Sequence, residues 1–143
     1  MNWKNEAIEH LNRYKAMEQA VNNIPKEMEM LEIDACAVKT SRPDRVSVSS
    51  HMGPRDDILI GNIMKRQELK RTYENARLWV DTTRGALSVL SPEEKLILES
   101  MYVNPERGVV NRLCSELGVE QSSVYRKRDN ALYRFTMALY GEC

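Results

Sequence analysis

Six side chains in one short run, Gln121, Ser122, Tyr125, Arg126, Lys127 and Arg128, are the ones best suited to act on another molecule. On a helix beginning near Gln121 they form a polar and basic outward face. Such a face suits base edges and phosphates in the major groove of duplex DNA. Arg126 leads as the base reader, because a guanidinium can pair bidentately with guanine. Lys127 and Arg128 supply charge of the kind that meets phosphate. This is the chemistry of recognition, not of bond making.

Those residues need a scaffold, and the flanking text supplies one. Leu113-Cys114 and Leu117-Gly118-Val119, followed by Val124-Tyr125-Arg126, have the spacing of a helix-turn-helix. Two helices cross tightly only over a small contact residue, for which Cys114 is placed. The turn between them needs tolerance for positive φ, which Gly118 provides. Val119 and Val124 then plug the second helix onto the first, and Leu132, Phe135 and Leu139 continue that buried face. The module opens at Ser91-Pro92-Glu93-Glu94, an N-cap, a first-turn proline and two acids at the positive end of the helix dipole. Leu96, Ile97, Met101 and Tyr102 mark its buried side. Asn104-Pro105 ends that helix, and Glu106-Arg107-Gly108 turns into a helix over 109–117. The last helix runs from 121 to 140.

Upstream lie two long helical patterns. From residue 2 to about 35, apolar or small positions recur every three or four residues at Trp3, Ala7, Leu11, Tyr14, Met17, Val21, Ile24, Met28 and Leu31. Pro25 is expected either to start a second helix capped near Asn23 or to kink one long helix. Residues 40–54, rich in serine, proline and glycine, read as a mobile loop. Val46 and Val48 there alternate like a strand without a partner. A second stripe follows at Leu59, Ile63, Leu69, Tyr73, Ala76, Val80, Thr83, Leu87 and Leu90, with the three-four alternation of a coiled-coil seam from Tyr73 onward. Neither helix has the apolar width to stand alone. An antiparallel hairpin, or a seam shared with a second copy of the chain, resolves this. The expected fold is all-α: a coiled-coil-like hairpin over 1–90 for assembly or partner binding, then a DNA-binding domain over 91–143 that suffices for weak binding.

Composition narrows the function further. The 143 residues carry 21 basic and 21 acidic side chains, so bulk electrostatics cannot drive nucleic-acid binding. Between Gln121 and Arg134 four basic residues stand against one acid, a local charge of +3. Cys36, Cys114 and Cys143 are an odd set without metal-ligand spacing. Cys114 reads as a small core residue and Cys143 as a mobile thiol. Eight methionines read as gap-filling core. No apolar run approaches the roughly 20 residues of a membrane span, and no signal peptide opens the chain. His10 and His51 lie in unrelated segments, Asp56-Asp57 reads as a helix-opening acidic pair, and no glycine-rich phosphate loop is present. No catalytic residue, metal site or cofactor is expected.

The segment from Leu90 to Glu94, with Tyr102, Gly118-Val119 and Ala131-Leu132, resembles the region-4 domain of bacterial sigma factors. With Val124-Tyr125-Arg126 and a helical N-terminal half, the whole chain resembles the small phage regulators of the ArpU and RinA type. The likeness covers about 50 residues by motif and the rest by pattern alone. It implies a cytoplasmic regulator, acting in a bacterial host cell, that binds promoter DNA of phage late genes as an activator. RNA polymerase and a second copy of the chain are the partners it suggests beside duplex DNA. Carried over position by position, the base-reading residues are Gln121, Ser122, Tyr125 and Arg126. Sigma domains place more arginine there, so a different target sequence is implied, and the DNA-melting segments of a sigma factor are not recognisable. Two other classes compete: a DNA-packaging protein of the small-terminase type, which forms large rings, and a module that binds protein instead of DNA.

Overall fold

A computed structural model describes residues 2–40 and 54–141. Among them the fold is all-α, with no strand. The elements are α1 (Trp3–Thr40), α2 (Pro54–Ser88), α3 (Pro92–Leu98) running on into a π-helical turn (Glu99–Val103), α4 (Val109–Leu117) and α5 (Gln121–Tyr140). Residues 41–53, with Val46, Val48 and most of the expected loop, lie outside the described residues, as does Cys143.

No second helix starts at Pro25. α1 runs straight through it, and Pro25 stands exposed. A proline inside a helix removes one backbone donor and crowds the preceding turn. Here Ile24 and Met28 on either side lie on the helix's inner face, Ile24 buried and Met28 half-buried, and that packing holds the helix through the defect.

The inner face of α1 follows a strict four-three alternation through Trp3, Ala7, His10, Tyr14, Met17, Val21, Ile24, Met28, Leu31, Ala35 and Val38, all buried or half-buried. That of α2 runs through Arg55, Leu59, Asn62, Arg66, Leu69, Tyr73, Ala76, Val80, Thr83 and Leu87 in the same rhythm, and Leu90 beyond its end continues it. Ile63, expected in this stripe, is 46% exposed. Asn62 and Arg66 hold the inner positions instead.

The chain divides into two compact units, one of residues 1–18 with 77–143 and one of residues 19–76. In the second, the Asn62 side-chain amide donates to the Leu31 carbonyl at 2.8 Å, and Arg66 Nε donates to Asn62 Oδ1 at 2.8 Å. A polar residue at such a position costs stability but pins the register of the pair. The outer surface of this unit carries Met30, Ile33, Ile58, Ile60, Ile63 and Met64, each at least 41% exposed.

In the first unit, Ala7 and Leu11 of α1, Ala86 and Leu87 from the end of α2 and Leu90 just beyond it share one core with Leu98, Val103, Ala131, Leu132 and Phe135. The compact division therefore does not fall at residue 90, where the change of sequence pattern lies. The faces of α3 and α5 need the two hairpin ends to cover them. A smaller core joins Ile97, Leu113 and Val124, with Leu117, Val119 and Cys114 half-buried around it. Cys114 thus sits at the edge of the helix crossing, not sealed within it. Along α3 and the π turn, Ile97, Leu98, Ser100 and Val103 are buried, while Leu96, Met101 and Tyr102 are half-buried. The π turn, closed by Asn104 N–H to Glu99 C=O at 2.8 Å, rotates the end of the helix and brings Ser100 and Val103 inward.

Candidate nucleic-acid interface

Local signals set up the segment that carries the six residues. Ser91 caps α3: its hydroxyl accepts from the Glu94 N–H at 3.2 Å and donates to Glu94 Oε1 at 2.9 Å. α4 ends at Gly118, whose φ of 65° lies in the left-handed region. The Val119 N–H donates back to the Cys114 carbonyl at 3.2 Å. Three residues after Leu117 the backbone of Glu120 is extended, and α5 begins. Val124 is fully buried against Ile97 and Leu113, so the residues a half-turn away must face out.

Gln121, Ser122, Tyr125 and Arg126 are exposed on the first two turns of α5. They share one open face. Arg126 is held only loosely, by a 3.5 Å contact from its guanidinium to the Ser123 hydroxyl.

Lys127 and Arg128 are placed differently. Both are half-buried. Lys127 Nζ lies 2.6 Å from Glu93 Oε1, tying α5 to the start of α3. Arg134, two turns on, reaches Glu94 Oε1 at 2.7 Å and makes a second tie of the same kind. Burial of Glu94 works against ionisation, but the bonds from Arg134 and Ser91 outweigh it, and the carboxyl lies below its ordinary value.

Arg128 is the centre of a network. Its Nε and a terminal nitrogen donate to Asp129 Oδ1 at 3.2 and 3.0 Å. Its guanidinium carbon lies 5.0 Å from the centroid of the Tyr125 ring. Its charge also acts on Tyr102, whose phenol is pushed above its ordinary value by burial despite that cation. Lys4 Nζ closes on the other Asp129 oxygen at 3.4 Å. Burial opposes ionisation of Asp129, and Arg128 and Lys4 together overcome it.

Glu93, Asp129, Tyr102 and Lys4 were not legible in the sequence as neighbours of these candidate residues. The acids at the start of α3 have a sufficient local reason in the helix dipole, and nothing in sequence spacing pairs Glu93 with Lys127. A second polar cluster also escaped the sequence. His10, 7% exposed, stacks on Trp79 with centroids 4.0 Å apart and planes 10° from parallel. The Thr83 hydroxyl donates its one proton to the Trp79 carbonyl at 2.7 Å. His10 Nε2, at 2.6 Å from Thr83 Oγ1, must therefore be the donor in that bond. The signal was available: position 10 falls on the four-three alternation between Ala7 and Tyr14.

Among the described residues no group of three His, Cys, Asp or Glu side chains converges to hold a metal ion. Among them, too, no helix is long and apolar enough to cross a membrane. No protein family matches the chain, and neither does any curated protein or solved structure.

Proposed function

We propose that the chain is a sequence-specific duplex-DNA-binding regulator of transcription that inserts the N-terminal half of α5 into the major groove. One observation carries this reading. Gln121, Ser122, Tyr125 and Arg126 stand exposed together on the first two turns of α5, while Val124 on the opposite side is locked into the core. A helix docked by its back and open at its N-terminal front is the geometry by which a helix-turn-helix presents side chains to base edges. The neutral charge of the whole chain makes binding depend on this surface and not on a general attraction to phosphate. The resemblance to phage regulators of the ArpU and RinA type extends the proposal to activation of late genes, with RNA polymerase as a second partner.

Selection of bound duplexes from a random pool, followed by footprinting, tests it. A defined site should emerge, and Arg126→Ala should relax preference at one or two base pairs, where a bidentate pair contributes about 1–3 kcal/mol of discrimination. Recovery of no enriched site would sink the reading.

A packaging role of the small-terminase type draws support from the exposed apolar residues of the second unit, Met30, Ile33, Ile60, Ile63 and Met64. Surface of that kind commonly marks contact between chains. Solution mass separates the two: a ring of many copies favours packaging, a monomer or dimer favours regulation.

A further inference from the structure

We propose that Tyr125 reads the C5-methyl group of a thymine and that Arg128 is the positioning residue that aims it, making no phosphate contact of its own. The proposal rests on the DNA-binding reading above and assigns roles within it.

Arg128 carries the charge expected of a phosphate-binding residue, but one edge of its guanidinium is already engaged by a carboxylate. Two of its nitrogens face Asp129 Oδ1 at 3.0 and 3.2 Å. The side chain is only 27% exposed. Asp129 is itself anchored by Lys4 at 3.4 Å. Turning Arg128 toward a phosphate would strip the half-buried Asp129 of these bonds and leave the Tyr125 ring without its cation, which opposes the move.

The same guanidinium lies 5.0 Å from the centroid of the Tyr125 ring. A cation over the face of an aromatic ring attracts it and restricts its rotation. Tyr125 is 37% exposed, on the open face with Gln121, Ser122 and Arg126. A tyrosine held by one face offers its rim and other face outward, which is apolar surface. In the major groove the apolar feature that distinguishes a base is the thymine methyl. Neighbouring Arg126 is free to pair with a guanine, so the two side chains would read adjacent positions by different chemistry.

The test uses the full chain and two readouts. In the first, the selected duplex is resynthesised with deoxyuridine in place of each thymine in turn. Loss of one methyl should weaken wild-type binding at one position by about fourfold, the worth of a single buried methyl group. Arg128→Gln should bind thymine and uracil duplexes alike, with the dependence of non-specific affinity on salt unchanged. Arg128→Lys, which keeps a cation near the ring, should recover part of the discrimination. A flatter salt dependence in Arg128→Gln, by the roughly 0.9 expected of one lost phosphate contact, would overturn the proposal. So would a wild-type chain indifferent to every methyl.

The second readout needs no DNA. Ring-carbon relaxation of Tyr125 should show an ordered ring in the wild type and a freer one in Arg128→Gln. Equal mobility in both removes the positioning role. An ordered ring in a chain that selects no site would leave the positioning standing but refute the thymine contact together with DNA binding.

Discussion

Arg126 and Lys127 are neighbours with the same charge, yet their surroundings assign them different work. Arg126 is exposed and barely tethered, whereas Lys127 is paired with Glu93 at 2.6 Å. A phosphate approaching Lys127 must compete with that carboxylate. Glu93→Gln should therefore tighten DNA binding and steepen its salt dependence by about 0.9, the signature of one further phosphate contact, in a titration across salt concentrations. Unchanged affinity and slope would show that Lys127 stays out of reach of DNA. His10 makes a prediction of another kind. Burial holds its pKa below the ordinary 6.5, because the charged form loses its hydration. Its unfolded state thus binds a proton that the folded state resists, and the associated stability is complete above about pH 6.5. That stability is lost as the pH falls from 6.5 toward the lowered folded value. Melting temperature should drop over this range in the wild type and drop less in His10→Gln. Equal slopes would mean the folded His10 accepts its proton freely.

At the scale of elements, the turn between α4 and α5 rests on one backbone angle. A Cβ built on Gly118 meets no atom within 4 Å, so side-chain bulk is not the obstacle there. The φ of 65° is. A left-handed conformation costs an ordinary L-residue about 1–2 kcal/mol, with β-branched residues worst and asparagine tolerated best. Gly118→Val should lower thermal stability clearly more than Gly118→Asn, measured by circular dichroism. Matching melts would place the strain elsewhere. Cys114, half-buried at the edge of the crossing, has room to give, so Cys114→Leu should cost less than the about 1–3 kcal/mol typical of overpacking a sealed site. In α2, Asn62 and Arg66 take two successive inner positions between Leu59 and Leu69, where Arg66 donates to Asn62 and Asn62 donates to the Leu31 carbonyl. Their place shows why a count of apolar residues missed the true stripe and assigned Ile63 to it.

For the whole molecule, the consequence lies in which segments share a core. Phe135, Leu132 and Leu98 are fully or almost fully buried together with Ala7, Leu11, Ala86 and Leu87. A fragment of residues 91–143 keeps the six candidate residues of α5 but loses that cover. Its exposed apolar face should leave it aggregated or molten, with poorly dispersed amide resonances, and unable to bind DNA selectively. A fragment of residues 1–18 fused through a flexible linker to 77–143 keeps the complete core and should fold cooperatively. If 91–143 alone gives a dispersed spectrum and a cooperative melt, the hairpin ends are not needed for folding.

Much of this architecture was written locally. The four-three alternation of apolar residues marked helix on both sides of the 40–54 segment, though not its unbroken passage through Pro25; Ser91-Pro92 opened α3, Asn104 closed the turn that follows it, and Gly118 marked the reversal before α5. Each depends on residues a few positions apart, whose backbone preferences and side-chain directions follow from chemistry and chain geometry. The exposed group Gln121, Ser122, Tyr125 and Arg126 was legible for the same reason, since burying Val124 fixes the direction of its neighbours. What only tertiary structure decided is the pairing of residues far apart in the chain: Glu93 with Lys127, Lys4 with Asp129, His10 with Trp79 and Thr83. Whether a charged side chain is free to meet a ligand or already spent on a partner depends on those distances. Local spacing cannot supply them, because a helix face states what it needs to bury but not which distant segment will cover it.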